Sequence, residues 1–397
     1  MRRWLEDFEQ FAIDVILERR YGKRALLLRW FLWGLSRIFV RIVQARLWLY
    51  RNRFFQERSP GCLVISIGNL TVGGTGKTPV VEKFARTLQD HGRRVAILSR
   101  GYKSKNPPLF RRLQRKWLGM ERRKSRIVHD GKKLLLDSRF AGDEPFMLAR
   151  SLKDVIVIVD KNRVRAALHA VRELQCDTLL LDDGMQYRPL KHRLEICLID
   201  RQAPFGNEHL LPRGTLREPP ENLRRASYIF ITKSDGADNT ELVARIRGYN
   251  RTAEIIECSH QPLYLQNLYT GERQPLAWLQ GKYIGAISGI ARPESFEEKL
   301  TALGANLEIT KRFADHHRFT ERELGDFIAR CVRRDLDCIV TTEKDSVRFP
   351  YRDPGNEVPI YFLRVEIDIL TGHESWDSLV NRICNPHGLM PTERFYA

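Results

Sequence analysis

The residues Gly73-Gly74-Thr75-Gly76-Lys77-Thr78 could do chemistry on a polyphosphate. They follow an apolar run, Cys62 to Ile67, and precede an amphipathic stretch, Val80 to Leu88, with Pro79 tolerated in a first helical turn. Strand, glycine-rich loop, Lys-Thr and helix wrap phosphates: backbone N–H groups and the helix N-terminus face the oxygens. The lysine bridges the terminal phosphates, and the threonine hydroxyl is a ready magnesium ligand. The spacing G-x-x-x-x-G-K-[ST] asks for glycine at position 71, where this chain has Thr71. The expected nucleotide-binding run is therefore Thr71, Val72, Gly73, Gly74, Thr75, Gly76, Lys77 and Thr78.

Three further clusters carry chemistry-bearing side chains. Leu179-Leu-Leu-Asp182-Asp183-Gly184 ends an apolar strand in two carboxylates, as a magnesium-holding strand beside a phosphate loop does. Gly142-Asp143-Glu144-Pro145 precedes a helix and on its own reads as an N-cap with an acidic first turn. Asp315-His316-His317 on its own reads as a metal-free surface pair of histidines. Thr232-Lys233-Ser234-Asp235 follows a strand and is similar to a guanine-reading [NT]-K-x-D tetrapeptide, but four residues with two free choices arise easily, and a polar turn is the favoured reading.

Positioning these groups requires a sheet. Apolar runs at 94–98, 155–159, 178–181, 194–199 and 228–231 alternate with helix-length segments such as Arg163 to Leu174. That alternation predicts an α/β fold with a mostly parallel sheet covered on both faces, whose strand ends bear the ligands. Short strands at 254–258 and 263–268 lead to a second α/β unit. Its strands fall at 283–287, 306–310 and 338–342, and its helices near 294–303 and 320–333. The reading is of two Rossmann-like subdomains: a phosphate-loop domain over 61–260 and a smaller C-terminal domain over 261–397. A basic arm over 1–60 precedes them, and the boundary is placed near 260–280.

The 397 residues carry a net charge of +18, concentrated in two places. Residues 1–60 hold 13 Lys/Arg against 6 Asp/Glu, and residues 103–133 hold 12 against 2. A nucleic-acid binder would spread its charge along a recognition face or interleave it with stacking aromatics, so nucleic acid is not an expected partner. Residues 103–133 read as a basic loop inserted in the first domain. Residues 25–50 form a long apolar stretch interrupted by Arg29, Arg37, Arg41 and Arg46, which leaves no run long enough to span a bilayer. With Trp30, Trp33 and Trp48 at headgroup-like positions, the stretch predicts a helix lying in the surface of an anionic membrane. The seven cysteines sit scattered in apolar surroundings, as reduced core thiols do.

Taken together, the chain resembles the tetraacyldisaccharide 4'-kinases, which phosphorylate a lipid A precursor at the inner membrane of Gram-negative bacteria. The resemblance is carried by Ser66 to Pro79, Ser99-Arg-Gly-Tyr102, Ala141-Gly-Asp-Glu-Pro145 and Leu181-Asp-Asp-Gly-Met-Gln186. It continues in Leu211 to Pro219, Ser288-Gly-Ile290, Phe313-Ala-Asp-His-His317 and Thr341-Thr-Glu-Lys-Asp345. It implies ATP and Mg²⁺ as cofactors, a lipid-linked disaccharide as acceptor, and a peripheral place on the cytoplasmic face of the membrane. It implies that Asp143 takes the proton from the sugar hydroxyl with His316 as partner, the two on different domains brought together by closure. Lys77 would neutralise the β- and γ-phosphates. Thr78, Asp183 and Glu218 would coordinate magnesium, with Asp182 and Arg217 in support. The chain departs from the family in having Tyr187 where histidine is usual, and in a longer, more basic segment between Arg100 and Asp143. The rival readings are a phosphate-loop GTPase or metallochaperone-type ATPase, and a membrane-bound nucleotide sensor.

Overall fold

The computed structural model describes residues 2–101, 125–351 and 358–385. Two compact units interleave along the chain. The first comprises Met1–Leu98, Asn162–Ser259 and Ile369–Ala397, the second Ser99–Lys161 and His260–Asp368. The units are therefore not consecutive stretches, as the division at 61–260 and 261–397 had them. The chain passes between them four times, and the expected boundary lies by one of these crossings.

The first unit is built on strands β1 (Leu63–Asn69), β2 (Val95–Ser99), β5 (Thr178–Asp182), β6 (Leu194–Asp200), β7 (Tyr228–Thr232) and the first part of β8 (Glu254–Asn267). Their order is β8-β7-β6-β1-β5-β2, and every neighbouring pair is parallel. Valine, isoleucine and leucine fill these strands because both faces are covered. On one face Phe84, from helix α3 (Lys77–Asp90), packs edge-on against Phe230 of β7 and Trp376 of the helix His373–Cys384. On the other, Cys197, Ile199, Ile229 and Ile231 join Phe205, Leu216 and Ile246. Side chains alternate between faces along β6 and β7, as the two-residue period of a strand requires.

Two helices precede β1: α1 (Arg2–Ile16) and α2 (Lys23–Arg51). Helix α2 buries one narrow stripe, Ala25, Leu32 and Ser36, and the Ser36 hydroxyl donates to the Leu210 carbonyl at 3.0 Å. Much of the remaining apolar surface is open, with Leu27, Trp30, Phe31 and Ile42 each more than 60% exposed. Arg37 lies over the Trp33 ring and Arg46 over Tyr50, so the arginine stems run along the aromatic surface. Among the described residues no helix is long and apolar enough to cross a membrane.

The second unit holds the parallel set β11 (Asn306–Arg312), β10 (Tyr283–Ser288), β12 (Cys338–Thr342) and β13 (Ile360–Thr371), in that order. It also holds an antiparallel pair, β3 (Arg126–Asp130) with β4 (Ile156–Val159). The short β9 (Arg273–Pro275) pairs antiparallel with the end of β8. Two details differ from the sequence reading. Residues 254–267 form one continuous strand, because the polar run Ser259 to Pro262 stays extended and proline accepts that backbone. Residues 126–130 form a strand, although 103–133 read as a loop; the short apolar pair Ile127-Val128 was masked by the surrounding charge. Most of that basic segment, 103–124, lies outside the described residues. The seven cysteines are free thiols, and burial pushes Cys331 up to about 11 and Cys338 to about 12.

Candidate functional site

In the first unit the chain leaves β1 at Asn69 and enters helix α3 (Lys77–Asp90). The connection is pinned from outside by residues 215–217. Val72 N–H donates to the Thr215 carbonyl, Arg217 N–H donates to the Leu70 carbonyl, both at 2.7 Å, and Thr71 bridges to Leu216. That pairing gives Thr71 a structural position and explains why a glycine is not needed there. Gly76 caps α3 with φ of +76°, a conformation glycine adopts without strain, and no side chain caps the helix. The first amides of α3 are thus left for a ligand, as at an anion site. Thr75 is 3% exposed, and its Oγ1 has no partner among the described residues. A buried hydroxyl without a partner costs free energy that a phosphate oxygen would recover.

The carboxylate pair at the end of β5 sits beside this loop. Gly184 and Gly68 allow it: a Cβ on Gly184 would lie 2.5 Å from Ser66 Oγ, and one on Gly68 would lie 2.7 Å from Met185 Cβ. Glycines at both positions let the Asp-Asp-Gly-Met turn fold across β1. Lys77 Nζ donates to Asn69 Oδ1 at 3.0 Å and lies 3.5 Å from Asp183 Oδ1. Arg217 holds both oxygens of Asp183, at 2.7 and 2.8 Å. Burial would raise the Asp183 pKa, but Lys77 and Arg217 together outweigh it and hold the carboxyl below the usual range. Asp182 is buried at the strand end, and Thr78 is half-buried in the first turn of α3. Glu218 is 2% exposed, and its Oε2 accepts from Asn222 at 2.7 Å and pairs with Arg225 at 2.8 Å.

No group of three or more His, Cys, Asp and Glu is gathered around a metal position among the described residues. Hard oxygens at Thr78, Asp182 and Asp183 nevertheless suit Mg²⁺, which takes one or two carboxylates and completes its shell with water and phosphate. Tyr187, the departure from the family pattern, has a defined place. Its hydroxyl accepts from the Arg163 N–H at 3.0 Å, and the Arg163 guanidinium stacks 3.7 Å above its ring.

The second unit gathers four of the short motifs around one carboxylate. Asp143 opens the helix Asp143–Ser151, next to Gly142 with φ of +94°, and is 8% exposed. Its Oδ2 accepts from Arg348 Nε at 2.8 Å and lies 3.4 Å from His316 Nδ1, while its Oδ1 accepts from Arg318 at 3.1 Å. Asp143 and His316 therefore belong to the same unit, and the expectation that they stand on different domains is corrected. Their meeting follows from the ends of β10 and β12. The turn after β10 places Gly289 against Asp345, whose Oδ2 accepts from Gly289 N–H at 2.9 Å and Thr342 Oγ1 at 2.7 Å. Arg348, with its side chain fully buried, donates to Asp345 Oδ1 at 2.9 Å and to the Gly289 carbonyl at 3.1 Å. Its remaining nitrogen lies 3.1 Å from His316 Nδ1.

His316 has φ of +66°, a strained backbone held by this surrounding network. On the other edge of its ring, Nε2 lies 3.5 Å from Lys344 Nζ. Its neighbour His317 does something different. It stacks on Phe313 and bonds Glu323, which also closes the capping box of the helix Glu321–Val332.

Burial pushes the Asp143 pKa up, but the His316 contact and the Arg348 and Arg318 charges bring it below the usual carboxylate value. Asp345, more deeply buried, is raised. Because Asp143 and Asp183 have lowered pKa values, their partners stabilise the fold at pH above about 4, the ordinary carboxylate value. That contribution disappears as pH falls through the lowered values.

Arg318 and Arg348 escaped the sequence reading, and Lys344 stood in a quoted motif without a role. Arg348 stands three residues after Asp345, a spacing that puts both on one side of a helical turn, and this was the available signal. Replacing Arg348 with methionine is expected to let the Asp143 pKa rise. The carboxyl titration of Asp143, followed by NMR, would then move to higher pH, and turnover would fall at least about tenfold. Binding of ATP should not change.

A family model described as tetraacyldisaccharide-1-P 4'-kinase matches residues 28–385. The tetraacyldisaccharide 4'-kinase of Anaeromyxobacter dehalogenans strain 2CP-C is 40% identical over 333 residues, covering 82% of either chain. That of Desulfotalea psychrophila is 34% identical over 358 residues, covering 90% of this chain and 97% of its own. A solved structure of LpxK from Aquifex aeolicus in complex with ATP superposes with a TM-score of 0.69 at 28% identity, covering 90% of this chain and 99% of that one.

Proposed function

Because the chain belongs to the tetraacyldisaccharide-1-P 4'-kinase family, we propose that it transfers the γ-phosphoryl group of ATP to the 4'-hydroxyl of a tetraacyldisaccharide 1-phosphate. The observation that carries this beyond nucleotide binding is the contact of His316 with a buried, ionised Asp143. A phosphate loop alone serves hydrolysis as well as transfer, whereas an alcohol acceptor needs a group that takes its proton.

Within the pair, the cations around Asp143 lower its basicity. Imidazole is the side chain that most often takes a proton in such a step. We therefore assign the proton to His316 and its orientation to Asp143, the reverse of the roles implied by the resemblance. Lys77 and the open amides of α3 bind the triphosphate and offset charge on the moving phosphoryl group. Arg217 keeps Asp183 ionised and in place. Magnesium, held by Thr78, Asp182 and Asp183 with Glu218 in support, would supply charge neutralisation at the phosphates. Incubating the protein with Mg²⁺, ATP and the tetraacylated disaccharide 1-phosphate should give the bisphosphorylated lipid by mass spectrometry. ATP hydrolysis that proceeds without lipid, and no such product, would overturn the assignment.

The acceptor's acyl chains stay in a bilayer while its sugar is phosphorylated, so the enzyme works at a membrane surface. The exposed tryptophans and leucines of α2 suit the acyl boundary. Arg37, Arg41 and Arg46, all exposed, suit anionic headgroups at about 1 kcal/mol each. Deleting residues 1–50 is expected to weaken co-sedimentation with anionic vesicles and raise KM for the lipid, leaving KM for ATP nearly unchanged. High salt should remove the electrostatic part and leave the apolar part. Undiminished vesicle binding by the folded truncation would make α2 a packing element only.

A further inference from the structure

The tetrapeptide Thr232-Lys233-Ser234-Asp235 is not used by the mechanism above, and its contacts give it another task. Thr232 Oγ1 donates to the Thr75 carbonyl at 2.8 Å. Lys233 Nζ donates to the Gly74 carbonyl at 2.6 Å and to Asp200 Oδ2 at 2.5 Å. Two consecutive carbonyls of the glycine-rich loop are thus tied to the ends of β6 and β7. Lys233 makes its contacts from a left-handed backbone, with φ of +58°, which its surroundings impose. Arg201 N–H bonds the Thr232 carbonyl, and Ser234 N–H bonds the Cys258 carbonyl, so the turn is fixed from both neighbouring strands.

We infer that Thr232 and Lys233 are positioning residues for the nucleotide: they tie back the Gly74 and Thr75 carbonyls, so that the uncapped amides at the start of α3 stay open to phosphate oxygens. A loop of three glycines in six residues has little conformational preference of its own, and ordering it on binding would weaken affinity. Tying down Gly74 and Thr75 beforehand removes much of that cost. The buried Asp200 neutralises the Lys233 ammonium, which leaves it a tether rather than a second free cation. Asp235 is likewise engaged, by Arg201 at 2.9 Å and the Ala237 N–H at 3.0 Å, in an exposed turn. Its neighbours Ser234, Asn239 and Glu257 bond one another. The tetrapeptide is thus a loop clamp and not a reader of the base.

This inference rests on residues 73–78 being the nucleotide site, and one set of measurements separates the two. Full-length Lys233→Met and Thr232→Val should bind a fluorescent ATP analogue at least about tenfold more weakly and raise KM for ATP by a similar factor. KM for the lipid should stay close to wild type in both, and the nucleotide-free Tm should stay close in Thr232→Val, whereas Lys233→Met, which leaves the buried Asp200 without its cation, should lower it. Lys233→Arg, which can still donate to the Gly74 carbonyl, should recover most of the affinity. The stabilisation of Tm by added ATP should shrink in step with affinity. Wild-type nucleotide affinity in folded Lys233→Met, or in Thr232→Val if the lysine variant does not fold, overturns the clamp. A change in the ATP-to-GTP preference shared by Lys233→Met and Asp235→Ala, in place of uniform weakening, overturns it in favour of base recognition. Lys77→Ala serves as the control. If it both binds the analogue and turns over normally, the nucleotide site itself is misassigned.

Discussion

Alanine at His316 should lower kcat by 10²–10⁴-fold, the usual range for a general acid–base group, and alanine at Asp143 should be comparably damaging. The double variant should be little worse than the poorer single one, because residues that act as one unit lose their contribution once. Steady-state kinetics with detergent-dispersed lipid acceptor would measure all three, with ATP and lipid each varied in turn. The Asp143 contacts sharpen the expectation. Arg348 and Arg318 remain when Asp143 is truncated, so the variant leaves the buried Arg348 and the exposed Arg318 each short of one carboxylate partner beside His316. Asp143→Asn, which preserves shape and removes charge, should therefore be the milder change for folding and still severe for turnover. Fully multiplicative losses in the double variant would show independent roles. An active His316→Ala enzyme would remove the proposed proton acceptor.

Lys77→Ala should cost on the order of 10²-fold or more in kcat/KM, the scale found when a donor aimed at developing charge is removed. The structure adds a second effect. Lys77 contributes to the low pKa of Asp183, so in the variant Asp183 keeps Arg217 as its cation and loses one of two opposing charges. Two readouts separate the roles. A loss in nucleotide affinity reports phosphate contact in the ground state, and a loss in kcat at saturating ATP reports contact in the transition state. Near-wild-type kcat/KM would mean that the loop is not where ATP reacts.

How far the sequence carried the fold can be judged from particular residues. The phosphate-loop unit was legible because its strands are continuous apolar runs and its loop is punctuated by glycines; β1, β5, β6 and β7 all lie where periodicity placed them. The pairing of Asp143 with His316 came only through resemblance. The acidic N-cap and the two histidines each have an ordinary local explanation, and 173 residues separate them. Arg348 was invisible for a related reason. An arginine near a strand end reads as solvated, and only the turn that brings Gly289 onto Asp345 shows that it is enclosed. The strand Arg126–Asp130 was missed because charge around it outweighed a single apolar pair, Ile127-Val128. The interleaving of the units was hidden because strands and helices continue at an even rhythm through each crossing.

That interleaving sets a timetable for synthesis. Strand β1 lies between β5 and β6, so the glycine-rich loop gains both supports only after Asp200 has been made. Helix α2 is complete at Arg51. At 5–20 residues per second, roughly 8–30 s pass between the two events. This helix, with its open apolar surface, thus leaves the ribosome well before the sheet that will carry ATP can form. A nascent chain could meet a lipid surface during that interval, and the enzyme would then finish folding where its acceptor resides.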